Sequence, residues 1–459
     1  MTISDAARRS LTAIVLAAGK GTRMRSETPK VLHAIAGRSM LGHVLAAAQE
    51  AGATRIAVVV EPGRADVAAE VERVTPGAST HPQAERLGTA HAVLAARAAL
   101  EEAADDVIVA FGDTPLITGE TLARLRAPLA EGAAVAVLAF EAADPTGYGR
   151  VLTDAAGRVT AIREEKDASE DERRVRLANA GLMALSGTHA LALLTRIGND
   201  NAAGEYYLPD AVALAVGDEL GVAVVRVEEA EAQGVNDRVQ LSVAEAGIQR
   251  RLRRSAQLGG VTLVAPETVF LSYDTVLERD VLVEPHVVIG PRVRVGAGSV
   301  IHAFTHLTET RLGEAVSIGP HARLRGGAVL ERGVHLGNFV EVKNAHLKDG
   351  AKAAHLTYLG DAEIGEAANI GAGTITCNYD GVSKHRTVIG PGAFIGSDSA
   401  LVAPVTIGAG AYVATGSVVT EDVPEGALAI ARSRQSNREG WAEAKRAALR
   451  AAKADKAKT

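Results

Sequence analysis

The stretch IGPGAFIGSDSALVAPVTIGAGAYVATGSVV, residues 389–419, sets an aliphatic side chain at every sixth position: Ile389, Ile395, Leu401, Ile407, Val413 and Val419. Glycine, alanine and other small residues fill the intervals. A helical stripe repeats every 3.6 residues and a half-buried strand every two, so neither explains a period of six held this long. A three-sided coil does. Each six-residue side holds a short strand and a tight corner, and one aliphatic residue per side points inward onto its neighbours, the hexapeptide pattern of a parallel β-helix. Corner positions favour glycine, which tolerates left-handed backbone. The same spacing joins Ile318, Leu324, Leu330, Leu336 and Val342, and also Ile289, Val295, Ile301 and Leu307.

Prisms of this kind resemble the left-handed β-helix family, an exception to the usual right-handed crossover. The period is lost upstream of residue 260. Residues 237–260, DRVQLSVAEAGIQRRLRRSAQLGG, carry no proline and read as one connecting helix closed by a glycine pair. Its RRLRR run is expected to be a solvated face rather than a nucleic-acid patch. Before it, short apolar runs at 13–18, 55–60, 106–113 and 134–140 alternate with helical stretches such as MLGHVLAAAQEAGA. Strands covered on both faces read this way, and the βαβ alternation predicts a mostly parallel sheet flanked by helices. Ligands then bind beyond the carboxyl ends of the strands. The expected organisation is an α/β Rossmann-like domain at 1–238, a linker helix at 239–258, and a left-handed parallel β-helix (hexapeptide repeat) domain with a C-terminal tail at 259–459. The tail, WAEAKRAALRAAKADKAKT, is helix-prone with a frayed end.

Composition excludes several classes. The 459 residues carry a formal net charge of −6, which is no footprint for nucleic acid. No apolar run approaches the roughly 20 residues of a membrane helix, and the opening MTISDAARRS lacks a secretory centre. One cysteine, Cys377, forms no internal disulfide, which points to a reducing compartment and so to the cytoplasm.

The first apolar run continues into LAAGKGTRMRSETPK, residues 16–30. Gly19 and Gly21 let the backbone approach an anion, and Arg23 and Lys30 add positive charge where a polyphosphate would lie. The loop matches neither the ATPase pattern GxxxxGK[ST] nor the dinucleotide pattern GxGxxG, whose last position is here Met24. FGDTP ends a predicted strand, so Asp113 sits at the carboxyl edge of the sheet, where a carboxylate suits Mg²⁺.

LAAGKGTRM followed by PK resembles the signature of sugar-phosphate nucleotidyltransferases, which join a nucleoside triphosphate to a sugar 1-phosphate. That resemblance assigns UTP and UDP-sugar contacts to Leu16, Ala17, Ala18, Gly19, Arg23 and Lys30. In QAERLGTAHA it places Gln83, Gly88 and Thr89 at uracil-reading positions. It adds Phe111, Gly112 and Asp113, then Gly149 in GYGR, Glu164 in REEKDA and Asn179 in ANAGL as sugar contacts. It makes Asn236 in GVNDR the second metal-holding position beside Asp113. Phe111 departs from the family's common tyrosine, which removes a hydroxyl.

The segment HLTYLGDAEIGEAANIGAGTITCNYDGVSKHRT, residues 355–387, breaks the period of six. From Thr376 to Ile389 is thirteen residues where two sides would take twelve, so a side is expected to bulge as a loop holding Asn378, Tyr379, Asp380 and Lys384. Imidazole titrates in the range a general base needs, but spacing does not choose among 13 histidines. This segment closely resembles the acetyltransferase domain of the bifunctional UDP-N-acetylglucosamine pyrophosphorylase/glucosamine-1-phosphate N-acetyltransferase family, and with the first half the resemblance spans nearly the whole chain. The early coils, before Ile318, align least well and are expected to be short. The resemblance selects His355 as the catalytic base and places Arg325, Lys343, Tyr358 and Asn369 around the amino-sugar phosphate. It gives acetyl-CoA contacts to Ala372, Asn378, Tyr379, Ser397, Thr415 and Arg432, with Lys384 a candidate for the anionic end of CoA. Thr415 stands where the family commonly has alanine. The resemblance also implies Mg²⁺, UTP and acetyl-CoA as cofactor and co-substrates, and a homotrimer built through the β-helix. Two other readings stay open at this level: a nucleotidyltransferase making ADP- or dTDP-glucose whose β-helix serves only regulation or assembly, and a non-catalytic assembly subunit.

Overall fold

A computed structural model describes residues 9–102 and 104–456. The opening segment 1–8 and the expected frayed end at 457–459 lie outside the described residues. Contacts divide the chain into two compact units, one reaching Leu258 and including Phe270–Asp274, the other made of Gly259–Val269 and the chain from Thr275 onward.

The first unit is built on strands β1 (Leu11–Ala17), β2 (Arg55–Val60), β3 (Ser79–Pro82), β4 (Asp106–Phe111), β5 (Ala133–Glu141), β6 (Arg150–Thr153), β7 (Val159–Arg163), β8 (Leu177–Ser186) and β9 (Gly221–Arg226). Their order is β9-β5-β8-β4-β1-β2-β3, with β6 and β7 paired to each other and β6 also to β8. β1 runs parallel to β2 and β4, and only β8 enters the main sheet antiparallel, between β4 and β5. All seven residues of β1 are buried, as the near-continuous apolar run requires of a central strand covered on both faces. Helix α1 (Met40–Glu50) begins where the Ser39 side chain accepts the Gly42 N–H, and packs Leu41, Val44 and Leu45 into the core cluster of Val15 and Val58. Helix α2 (Arg238–Leu258) realises the expected connecting helix. It buries Gln249, whose side-chain amide donates to the Leu271 carbonyl at 2.7 Å and accepts from the Leu271 N–H at 2.9 Å. Its RRLRR run is not wholly solvated. Arg250 and Arg254 are exposed, but Arg251 turns back and donates to the Leu116 carbonyl, and burial pushes its guanidinium down from the usual arginine range.

The second unit is a left-handed parallel β-helix of three sheets. Each strand pairs in parallel with the strand one coil further on, so aliphatic residues stack in register: Val283 on Ile301, Ile301 on Ile318, Ile318 on Leu336. Every one of the period-six residues named above is at most 3% exposed. Each such side chain contributes roughly 1.5–3 kcal/mol on burial. The early coils are not short. Val288 pairs with His306 and Val276 with Arg294, eighteen residues on, whereas later coils such as Tyr358 with Ile375 advance seventeen. The expectation of one extra residue near Thr376 is also corrected. Thr376 and Ile389 belong to consecutive sides, the second pairing back to Ile364, so the insertion amounts to a full loop rather than a single bulged residue. That loop closes on itself by a bridge between Tyr379 and Lys384, and by Asp380 accepting the N–H groups of Val382 and Ser383. The described part of the tail is a helix, Trp441–Lys456, exposed along its length.

Candidate active sites

In the first unit, β1 and β4 end side by side, the Gly112 N–H donating to the Leu16 carbonyl at 2.9 Å. The chain beyond β1 turns through Gly21, whose φ of 60° is left-handed, and a Cβ there would stand 2.5 Å from the Cβ of Lys30. Glycine therefore lets the segment bearing Lys30 cross the loop closely. The Lys30 ammonium then reaches Asp113 Oδ2 and, at 3.1 Å, Asn236 Oδ1. Asn236 is delivered by two backbone bonds: Val235 N–H to the Asp113 carbonyl at 2.8 Å, and Asn236 N–H to Gln240 Oε1 at 2.7 Å on the first turn of α2. Two side-chain oxygens from distant segments thus converge on one cationic position, the donor set a hard divalent cation takes. Among the described residues no three His, Cys, Asp or Glu side chains gather as a metal site.

Two clefts open from this point and share Phe111 and Asp113. The first, about 250 Å³, is walled by Leu16, Ala17, Ala18, Gly19, Lys30, Gln83, Gly88 and Thr89. The second, about 480 Å³, is walled by Arg23, Gly149, Glu164, Asn179 and Asn236. Apart from Gly112, which stands between Phe111 and Asp113 in the chain, every nucleotide and sugar residue expected from the sequence lines one cleft or the other. The Phe111 ring that divides them lies over Gly181, where an added Cβ would come within 2.9 Å of the ring and where φ is 84°. Burial, and then the nearby Asp210 and Asp167, push the Glu164 carboxyl above the usual range.

Arg86 was not singled out, although it lies inside QAERLGTAHA. Its guanidinium donates to the Ala18 carbonyl at 3.1 Å and to Glu61 at 2.8 Å, tying the glycine loop to the end of β2. Nothing in its spacing marks it, because the partners are 68 and 25 residues away in the chain. Glu205 and Tyr148, on the walls of the first and second clefts, were also missed.

In the β-helix, His355 ends the strand Lys352–His355 and pairs in register with Asn338 one coil earlier. The imidazole Nδ1 lies 2.9 Å from Asn338 Oδ1. With that oxygen as acceptor, Nδ1 carries the proton and Nε2 is left as the basic nitrogen. Asn338 was likewise missed, since only the coil length brings it beside His355. The same corner carries, coil by coil, Ala372, Ser397, Thr415 and Arg432; Asp398 N–H donates to the Ala372 carbonyl and Gly416 N–H to the Ser397 carbonyl. The cations lie at the next corner. Arg325 and Lys343 pair in register at their strand ends, and Arg325 is held by Glu341 at 2.6 Å. Lys384 lies against Lys343 and pushes the Lys343 ammonium down, by direct contact first and by charge second. Lys384 thus stands with Arg325 and Lys343, away from the corner of Ala372 and Ser397. Asn378 and Tyr379 leave from this second corner too, where Asn378 donates to Asp361. Tyr358 lies on the side between the corners and Asn369 on the preceding side. Within one chain the expected acetyl-transfer residues therefore fall into two groups about one strand apart, roughly 15 Å at ~3.3 Å per residue.

A family model for the MobA-like NTP transferase domain matches residues 13–177, and one for bacterial transferase hexapeptide (six repeats) matches residues 386–421. Curated relatives described as bifunctional protein GlmU include one from Azorhizobium caulinodans, 64% identical over 96% of this chain and 98% of the relative. Another, from Xanthobacter autotrophicus, is 66% identical over the same shares, and one from Bradyrhizobium sp. is 58% identical over 95% and 97%. With two matched domains and identity of this level over nearly its full length, the chain belongs to the GlmU family of bifunctional UDP-N-acetylglucosamine pyrophosphorylase/glucosamine-1-phosphate N-acetyltransferases.

Proposed function

We propose that the chain acetylates glucosamine 1-phosphate with acetyl-CoA in its β-helix and then transfers UMP from UTP to the product in its α/β unit, releasing pyrophosphate. The observation that carries the nucleotidyl half is the meeting of two clefts at Asp113, with Lys30 bridging that carboxylate and Asn236.

In the first step His355 Nε2 takes a proton from the substrate ammonium, and the freed amine attacks the thioester carbonyl, expelling the CoA thiol. Arg325, Lys343 and Lys384 hold the sugar phosphate, with Tyr358 and Asn369 beside the sugar. Acetyl-CoA lies along Ala372, Ser397, Thr415 and Arg432, with Asn378 and Tyr379 from the loop. In the second step the sugar 1-phosphate oxygen attacks the α-phosphorus of UTP in line, and positioning and charge neutralisation carry the reaction. UTP occupies the cleft of Gln83, Gly88 and Thr89, and the sugar the cleft of Gly149, Glu164 and Asn179. Arg23 and Lys30 neutralise phosphate charge. Asp113 and Asn236 would hold Mg²⁺, which when bound would supply positive charge to offset that of the phosphates.

The division of the acetyl-transfer residues between two corners supports a homotrimer whose acetyl sites form where a corner of one copy meets the other corner of the next. No helix among the described residues is long and apolar enough to cross a membrane. The substrates and the single cysteine favour a cytoplasmic enzyme of cell-wall precursor synthesis that binds neither nucleic acid nor membrane. The test is direct. Purified protein given glucosamine 1-phosphate, acetyl-CoA, UTP and Mg²⁺ is expected to release free thiol and pyrophosphate. Release of neither would overturn the reading, and pyrophosphate without thiol would leave only the nucleotidyl half.

A further inference from the structure

One side chain of the first cleft has its direction set by its neighbours. Gln83 is buried, lines the cleft beside Gly88 and Thr89, and is anchored at the end of β2 by its backbone N–H, which donates to the Val60 carbonyl at 2.9 Å. Its side-chain amide nitrogen faces two atoms, each at 3.4 Å: the Gly88 carbonyl oxygen and His91 Nδ1. A carbonyl oxygen only accepts, so the amide turns its nitrogen, not its oxygen, towards Gly88. That carbonyl is held in place. It also accepts the Ala92 N–H at 3.1 Å, and the flanking chain is pinned by Tyr206, whose N–H donates to the Leu87 carbonyl at 2.7 Å and whose carbonyl accepts the Ala90 N–H at 2.9 Å. A Cβ on Gly88 would stand 2.5 Å from the Tyr206 oxygen, so glycine permits this crossing. His91 comes from the helix Thr89–Ala95. With the Gln83 amide donating to it, His91 Nδ1 is an acceptor and the ring proton sits on Nε2. Gln83 Oε1 is then the amide atom left for a ligand in the cleft.

We propose that His91 is a positioning residue which, through Gln83, makes this cleft prefer uracil to cytosine nucleotides. The proposal rests on the uridine-nucleotide reading of the cleft given above. The two bases differ at N3, which carries a proton in uracil and a lone pair in cytosine. An amide oxygen accepts from uracil N3–H, whereas an amide nitrogen in the same place would donate to cytosine N3. The two orientations of a glutamine amide have the same shape, so the choice of base falls to whatever holds the amide. Turning it over would set Oε1 against the Gly88 carbonyl and would require a proton on His91 Nδ1. Both contacts are long for hydrogen bonds, so the orientation depends on the pair of them and loosens when one is lost. His91 itself stands behind Gln83, outside the residues that line the cleft.

The experiment measures kcat/KM for UTP and for CTP in the full chain, as pyrophosphate released with N-acetylglucosamine 1-phosphate and Mg²⁺. His91→Phe keeps a ring and removes the acceptor, while His91→Asn keeps an acceptor near the place of Nδ1. In His91→Phe the UTP-to-CTP ratio is expected to fall about tenfold, the scale of one hydrogen bond. The fall should come from a higher KM for UTP, with kcat at saturating UTP held within about twofold. His91→Asn is expected to keep the parent ratio. An unchanged ratio in His91→Phe would overturn the proposal, and so would an equal fall in both variants, which would reflect packing alone. His91→Ala, which cannot overfill the space, is expected to show the same fall, so the test stands even where His91→Phe does not fold. A double-mutant cycle supplies a readout that packing would not move. In a Gln83→Ala background His91→Phe is expected to change the ratio no further, and a second fall of the same size would overturn the route through Gln83. A parent protein with no preference for UTP over CTP would overturn the uridine reading itself, and this inference with it.

Discussion

Lys30 spans the two functions a residue can have at such a site. In the proposed reaction its charge faces the phosphates, and its ammonium holds Asp113 and Asn236 together. Asp113→Ala removes one of the two converging oxygens, and uridylyl transfer is expected to fall ~100-fold or more, the scale of losing one electrostatic contact to the reacting phosphates, with acetylation unchanged. Near-normal turnover at saturating Mg²⁺ would refute the role. Glu164 makes a linked prediction about stability. Burial and acidic neighbours raise its pKa, so the native state binds its proton more tightly than the unfolded chain does. Stability then falls as pH rises from the ordinary carboxyl range, about 4.3, through the raised native value. Glu164→Gln is therefore expected to raise Tm at pH 7.5 but not at pH 4, while raising the KM for the sugar phosphate; equal Tm changes at both pH values would refute the cause. Asn338 meets the His355 imidazole, so in the proposed reaction it orients that ring. Asn338→Ala is expected to lower the kcat of acetylation by about 10- to 100-fold, a part of what acid–base catalysis supplies. The KM for acetyl-CoA should hold, and a change in KM alone would point to a structural role.

At the scale of elements, the hexapeptide side was the most legible unit. An inward aliphatic every six residues leaves no other way to bury itself than by stacking on the coil above and below. Leu336, fully buried between Ile318 and Ala353, is expected to cost about 2–5 kcal/mol when replaced by alanine, read as a lower melting transition that leaves uridylyl transfer intact before melting. The loop after Cys377 was visible as a fault in the period, but its size was misjudged. Counting residues does not tell which side of a coil a position occupies, and only the pairing of Ile389 with Ile364 does. Deleting 379–385 restores the ordinary six-residue spacing. It is expected to leave the β-helix folded and to abolish acetylation; retained acetylation would remove the loop from the site.

For the whole molecule, the two activities reside in different compact units, and neither site as proposed draws a residue from the other unit. Mixing Asp113→Ala protein with His355→Ala protein is expected to restore the full conversion of glucosamine 1-phosphate to the UDP-sugar, which neither variant performs alone. Failure of the mixture, with each remaining activity intact, would mean that the intermediate does not pass between copies.

The amino-acid order by itself determined the period of six, the βαβ alternation and the motif residues of the nucleotide loop, because each is written in spacing along one segment. The linear order could not show that Asn236 stands beside Asp113, that Asn338 orients His355, that Arg86 braces the glycine loop, or that the acetyl-transfer residues divide between two corners. Those relations join positions 17 to 123 residues apart, and they exist only after sheet order and coil length have brought the segments together.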